Sequence, residues 1–361
     1  MLKSYAVEDL QVGMTLGREV KDMMTQSLIL PAGHELSGED IRLLTNNNIF
    51  TVFVEEGIKK SMGNVPGGEF LLDEDYVKKY DLLSLRMQEI FTLWRKEERI
   101  EVDKFYQIVS DQFLLPLCVG AKAVSQIHNM SKRGDYLVNH SLHVAILAGL
   151  MGEWLRWPKK EREDLIIAGL VHDIGKLKVP EEILEKTGKL TDEEFRQIKK
   201  HPEHSYDMLK LTKLGKNRPV MMGIAQHHER TDGSGYPAKL KGDAIEPIAR
   251  ILAILDIYDA MAADRAYARR NSPFDVFGVL YEDILRGKLD TEYGVLFLKN
   301  LCHSLNGNWV WLSSGDKARI VYIDDSRVTS LPVVQTAGGE FIDLNRRSDV
   351  KITSLLTAQE V

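Results

Sequence analysis

Seven of the ten histidines in this 361-residue chain fall between His140 and His228, where even spacing would put two or three. They stand at separate stations: His140 in "NHSLHVAIL", His172 beside Asp173 in "LVHDIGK", His201 in "KKHPEH", and the doublet His227-His228 in "QHHERTDGSGYP". A carboxylate, Asp256, follows inside the apolar run "ARILAILDIYDAM". An acid on such a face is costly to bury unless it is paired or bound to a metal. Each station alone has an ordinary structural explanation, since a single histidine on an apolar helix is more often a hydrogen-bonded core residue than a ligand. Their joint occurrence shifts the reading to a metal site, and it demands a fold that gathers distant helical segments around one point.

Neutral imidazoles and carboxylates together suit borderline and harder divalent ions such as iron, manganese or zinc. His172 and Asp173 point about 100° apart on a regular helix, so they serve two neighbours or one ion near a helix end. A carboxylate has two oxygens, so Asp173 can bridge two cations. Seven residues then make eight contacts, four to each ion, and six-coordinate ions keep two positions for a bridging hydroxide and substrate oxygens. That is the design of a hydrolase: paired ions make hydroxide available at neutral pH and neutralise charge on phosphoryl oxygens.

The rest of the chain frames this cluster. Residues 1–65 read as a small α/β module, with a turn in "LILPAGHEL" and a helix opened by Ser37 in "SGEDIRLLTNNNI". The stretch "GNVPGGE" marks a linker. Residues 66–130 form a helical connecting segment whose "DEDYVKKYDLLSLRMQEIFTLWRK" repeats apolar residues every three or four positions. Helical texture continues through 131–305, where Thr191 and Glu194 stand in capping-box register. Residues 306–361 alternate apolar and polar positions around glycine turns, which predicts a small antiparallel β appendage on a mainly α protein. The net charge of −6 argues against a long nucleic-acid partner. Cys118 and Cys302 have no CxxC company, so a disulfide framework or cysteine zinc site is not expected. No run approaches the roughly 18 apolar residues of a membrane span, and the N-terminal "MLKSYAVEDL" lacks a signal peptide's pattern, so the expectation is a cytoplasmic protein without membrane contact.

The stations "VHDIGK", "KKHP", "QHHERTDGSGYP" and "ILDIYDAMAADRAY" together resemble the HD-GYP domain family of the HD hydrolase superfamily, over residues 131–290. The resemblance implies a helical bundle with metals in its core. It also implies a phosphodiesterase that hydrolyses the second messenger cyclic di-GMP to pGpG and/or GMP, through a hydroxide bridging two ions of iron or manganese. By that resemblance His140, His172, Asp173 and Asp256 are ligands of the first metal, Asp173 bridges, and His201, His227 and His228 complete the second. Lys176 is implied as a phosphate contact beside Asp173, with Tyr236 and Arg265 as further ligand contacts. Glu229 and Asp232 are expected either to orient the histidines, to cap the loop, or to be plainly solvated. The flanking modules are similar to segments that accompany this domain, and a regulatory or dimerising role is the expectation for the first.

Two positions depart from the family pattern. Tyr136 stands where some members carry a glutamate that supports a third metal, which favours two metals here. Ala268, in "DRAYARR", replaces a usual basic residue, which leaves room for weaker binding or another nucleotide preference. Competing readings are therefore a catalytically weak or inactive cyclic-dinucleotide receptor that signals through its flanking modules, and an enzyme for a related dinucleotide such as cyclic GMP-AMP; a homodimer or a signalling-protein partner is expected beside the dinucleotide. For His143, one helical turn from His140, packing is expected over a partner role. His34, His128, His204 and His303 show no ligand company.

Overall fold

The computed structural model describes residues 2–7, 10, 12–21, 27–47, 49, 51–55, 74–98, 100–109, 113–118, 122–130, 135–184, 186, 188–262, 272–324, 327 and 330–356. The linker "GNVPGGE", Arg265 and Ala268 lie outside them, as does the side chain of His128.

Near the N-terminus, strands β1 (Leu2–Ala6) and, later, β4 (Thr51–Glu55) pair antiparallel with Leu2 opposite Glu55. Between them come the short antiparallel pair β2 (Val20–Lys21) and β3 (Leu28–Leu30), and helix α1 (Gly38–Asn46). The Ser37 hydroxyl accepts from the Asp40 N–H, and the Asp40 carboxylate accepts from the Ser37 N–H, so both open donors are satisfied where the sequence predicts a helix start. Leu16, Leu36, Leu44, Val52 and Val54 close a small core of their own.

A second and much larger core runs from Tyr76 to Leu355. It begins with α2 (Glu74–Glu97), α3 (Val102–Ile108) and α4 (Lys122–Met130). Helix α5 (Tyr136–Trp154) follows, started by Asp135, whose carboxylate accepts from the Leu137 and Val138 N–H groups. Nearly all of α5 is buried, the mark of a central helix with apolar residues on every side. Around it pack α2, α6 (Lys159–Val171), α11 (Pro247–Ala262) and α13 (Thr291–Ser304). Between α6 and α11 lie α7 (Glu181–Leu184), α8 (Asp192–Ile198), α9 (His201–Leu209) and α10 (Arg218–Gln226), and α12 (Pro273–Leu285) precedes α13. Thr191 and Glu194 close the expected capping box on α8.

The C-terminal strands are β5 (Trp309–Leu312), β6 (Lys317–Tyr322), β7 (Val333–Thr336), β8 (Phe341–Asp343) and β9 (Ile352–Leu355). They form one antiparallel sheet in the order β8-β7-β6-β5-β9. Val310, Ala318, Ile320 and Val334 point inward by the two-residue period of a strand and join the core of the helices. The protein is thus mainly α with a small antiparallel β appendage.

Candidate metal centre

The seven residues of these five separate stations meet in the core of the helical bundle. His140 comes from the first turns of α5, His172 caps the C-terminus of α6, and Asp173 follows it at the head of a 3-10 turn over Ile174–Lys178. His201 is the first residue of α9, His227 caps α10 with His228 next to it, and Asp256 lies in α11. All but His228 are buried, and His228 is nearly so.

The donor atoms fall into two sets that share one carboxylate. In the first, His140 Nε2 lies 3.3 Å from Asp173 Oδ2, 3.1 Å from Asp256 Oδ1 and 3.3 Å from His172 Nε2. His172 Nε2 is 3.5 Å from the same Asp173 oxygen. In the second set, His201 Nε2 lies 3.0 Å from Asp173 Oδ1 and 3.1 Å from both His227 Nε2 and His228 Nε2. Metal–ligand bonds of about 2.0–2.2 Å put adjacent donors roughly 2.8–3.6 Å apart, so both sets have the spacing of donors around a cation. Asp173 Oδ1 is buried and no hydrogen-bond donor is aimed at it, an expensive arrangement that a cation would relieve. Asp173 with His201, His227 and His228, and Asp173 with His140 and His172, are two groups whose donors could hold divalent metal ions.

The far side of each ring decides which nitrogen faces the cation. His172, His201 and His227 each donate from Nδ1 to the carbonyl three residues earlier: Gly169 at 2.8 Å, Ile198 at 2.7 Å and Ile224 at 2.7 Å. These bonds leave the Nε2 lone pairs for the metal. His140 differs, because its Nδ1 donates to Asp259 Oδ2 at 2.7 Å, one turn beyond Asp256 on α11.

Burial makes charging these imidazoles costly, so the His172 and His227 rings are held below the usual range, and His228 is pushed down to about 3. Burial works the same way on His140, but Tyr136 and the carboxylates of Asp173, Asp256 and Asp259 outweigh it and raise its affinity for a positive charge. Asp173 and Asp256 are kept ionised against burial, the former chiefly by Lys176 and the latter by His140.

The chain between His172 and Asp173 is clamped. The Ser205 hydroxyl, on α9, donates to the His172 carbonyl and accepts from the Gly175 N–H, both at 2.8 Å. A Cβ at residue 175 would come within 2.1 Å of the His201 carbonyl oxygen, so the closeness of the two donor sets requires glycine there. Lys176 pairs with Asp173 Oδ2 at the inner rim.

The loop after the doublet folds back on it. Gly235 has no room for a Cβ, which would lie 2.4–2.5 Å from Arg230 N, Glu229 Cα and His228 O. The turn brings the Tyr236 N–H to the His228 carbonyl at 3.2 Å and stacks the Tyr236 ring on His228, with centroids 4.7 Å apart and planes 26° apart. Glu229 is buried and accepts from the Ala238 and Leu240 N–H groups at 2.6 and 3.0 Å, so of its expected roles it takes loop bracing. Asp232 caps the turn through the Ser234 N–H at 2.8 Å. Tyr136, half exposed, stacks on His140 with centroids 5.7 Å apart.

Asp259 and Ser205 carry geometry that the sequence reading missed. Asp259 had a signal, an acid three residues after Asp256 and so on the same side of a buried helix. His143 also departs from its expectation, because it bonds to Asp259 Oδ1 at 2.9 Å instead of merely packing. Among the others, His34 bonds to Asp40 at 3.0 Å, far from the cluster in sequence.

Residues 122–292 match the HD domain family. The 3′3′-cGAMP-specific phosphodiesterase 1 of Vibrio cholerae serotype O1 is 36% identical over 168 residues, which cover 46% of this chain and 38% of that protein. A cyclic di-GMP phosphodiesterase of Pseudomonas aeruginosa is 37% identical over 147 residues, 41% of this chain and 35% of that protein. A cyclic di-GMP phosphodiesterase of Borreliella burgdorferi is 24% identical over 338 residues, covering 90% of this chain and 86% of that protein. The chain spans little more than a third of the length of the first two relatives. The HD pair and the run ending in Gly235-Tyr236-Pro237 both lie within residues 122–292, the part of the chain that is similar to HD domains, and the relatives it matches there are HD-GYP-type phosphodiesterases.

Proposed function

We propose that this protein is a metal-dependent phosphodiesterase that hydrolyses cyclic di-GMP to pGpG and/or GMP. The observation that carries the reading is the division of Asp173, whose Oδ2 faces His140 and His172 while Oδ1 faces His201. One carboxylate serving two donor sets fits a pair of adjacent divalent ions. Such a pair supplies activated water at neutral pH and neutralises charge on a phosphoryl group when bound. Mixed imidazole and carboxylate donors suit iron, manganese or zinc, and the resemblance to the HD-GYP family favours iron or manganese among them.

In this reading His140, His172, Asp173 and Asp256 hold one ion, and Asp173, His201, His227 and His228 hold the other. Lys176 offers a point cation to the scissile phosphate, and its pairing with Asp173 keeps it charged despite burial. Tyr236, buttressed by His228, offers a ring face to a base or sugar, and Arg265 is assigned to a second anionic contact of the substrate. Residues 131–305 are the catalytic unit of this scheme, joined by a connecting segment over 66–130 to an input module over 1–65, with 306–361 as an appendage. No helix among the described residues is long and apolar enough to cross a membrane. A cytoplasmic signalling enzyme, as a homodimer or with a protein partner, is the setting that this reading implies.

A second substrate is favoured by a specific observation: relatives named for 3′3′-cGAMP and for cyclic di-GMP are 36% and 37% identical to this chain. The test is to load the protein anaerobically with iron or with manganese, supply each dinucleotide, and separate the products by chromatography. Linear pGpG or GMP is the expected result. Tight binding of the dinucleotide without turnover under both metals would overturn the enzymatic reading and leave a receptor.

A further inference from the structure

Behind His140 a polar chain continues away from the metal site. Asp259 receives the Nδ1 hydrogens of both His140, at 2.7 Å, and His143, at 2.9 Å. His143 Nε2 meets the Tyr80 hydroxyl at 2.9 Å, and that hydroxyl meets Asn139 Oδ1 at 3.0 Å. All five side chains are buried, with none more than 5% exposed. Apolar residues of similar size would fill this volume at no greater energetic cost, because burying polar groups is favourable only when every partner is met. A connected set of this kind fixes ring orientation where an apolar core would not.

Tyr80 comes from α2, the first helix among the described residues after β4, which ends at Glu55. The same helix also meets the turn that follows Asp173. Lys178, at the end of the 3-10 turn that carries Lys176, sits with its ammonium 5.9 Å from the Trp94 ring centre. Helix α2 therefore touches both the support of a first-set donor and the turn that holds Asp173's neighbour.

We infer that Tyr80 is a positioning residue for the metal centre, holding His140 through His143 and Asp259 and so tying the setting of α2 to how tightly the first ion is kept. The inference rests on the two-ion reading above but not on the substrate. When α2 shifts, the phenol leaves His143, Asp259 loses one of the two rings that fix it, and His140 loses the fixed angle at which its Nε2 faces the ion. In the second set, His201 and His227 are braced by carbonyls of their own segments and do not depend on this chain.

The test uses the full chain loaded with Mn2+ and titrated with a chelator, with released Mn2+ read by its electron paramagnetic resonance signal. Wild type should release two ions in separable steps. Tyr80→Phe, which removes one oxygen and keeps the ring, should weaken one step several-fold and leave the other unchanged. His143→Phe should weaken the same step by more than Tyr80→Phe does, because it removes one of the two rings that fix Asp259. In the His143→Phe background, Tyr80→Phe should add nothing, since non-additivity identifies a shared path. Wild-type release by Tyr80→Phe, equal weakening of both steps, or additive losses would each overturn the inference. Two tightly held ions with no dinucleotide turnover would sink only the phosphodiesterase reading, and a wild type that binds no Mn2+ would sink both. Thermal unfolding of each variant identifies a loss that comes from misfolding, and a variant destabilised at both steps counts against the inference.

Discussion

The two donor sets are built in different ways. In the second set, His201 and His227 are aimed by carbonyls three residues earlier, so each brace is made wherever the local helix end forms. In the first set, His172 has such a brace, but His140 depends on Asp259, 119 residues away. A local brace is as stable as one turn of helix. A remote brace is only as good as the packing of α5 against α11, and it can be moved by whatever else contacts that pair. The difference makes one cation seat rigid by construction and the other open to influence.

The largest expected effect removes the distinction altogether. Asp173→Ala takes away the single group common to both sets, and elemental analysis should show both ions gone. Retention of one ion would refute the bridge. Asp259→Asn keeps the shape but withdraws the charge behind His140, so the first ion should weaken by about 10–100-fold while the second is held as in wild type. Chelator titration separates the two, and equal weakening would erase the comparison drawn above. Glu229→Ala leaves the Ala238 and Leu240 N–H groups without their acceptor, at a cost of about 1–3 kcal/mol. The loop holding Tyr236 should loosen, so the KM for the dinucleotide should rise in steady-state assays with metal content unchanged.

The smallest effect concerns acidity. His228 is pushed down to about 3 by burial, so between that value and the unfolded one near 6.5 the unfolded chain binds a proton that the folded chain refuses. Stability must then fall as pH drops through this window, by at most about 1.4 kcal/mol per pH unit for this ring. Urea denaturation of chelator-stripped protein at pH 7 and pH 5.5 measures it, and a stability that rose on acidification would contradict the buried neutral ring.

The donors were legible because metal chemistry restricts residue types, and because His140, His172, Asp173, His201, His227, His228 and Asp256 appear in motifs with local context. The helical texture of 73–305, the caps at Ser37 and Thr191 and the alternating strands after residue 306 were legible for a similar reason, since helix and strand periods and caps are short-range patterns. Asp259, Ser205 and Tyr80 were not. Each acts through a side-chain contact between segments far apart in sequence, and nothing within a few residues of Tyr80 announces that its hydroxyl will end beside His143. Glu229 was intermediate, because its place next to the doublet was visible but the backbone it braces was not.

Gly175 has a further consequence. The distance between the two cation seats is governed by one missing carbon atom, where the His-Asp turn lies directly against the opening of α9. Even the smallest side chain would act as a wedge, pushing Asp173 off His201 and spoiling both seats at once. Residue 175 therefore leaves the turn after Asp173 no room for a side chain against the His201 carbonyl and Ser205.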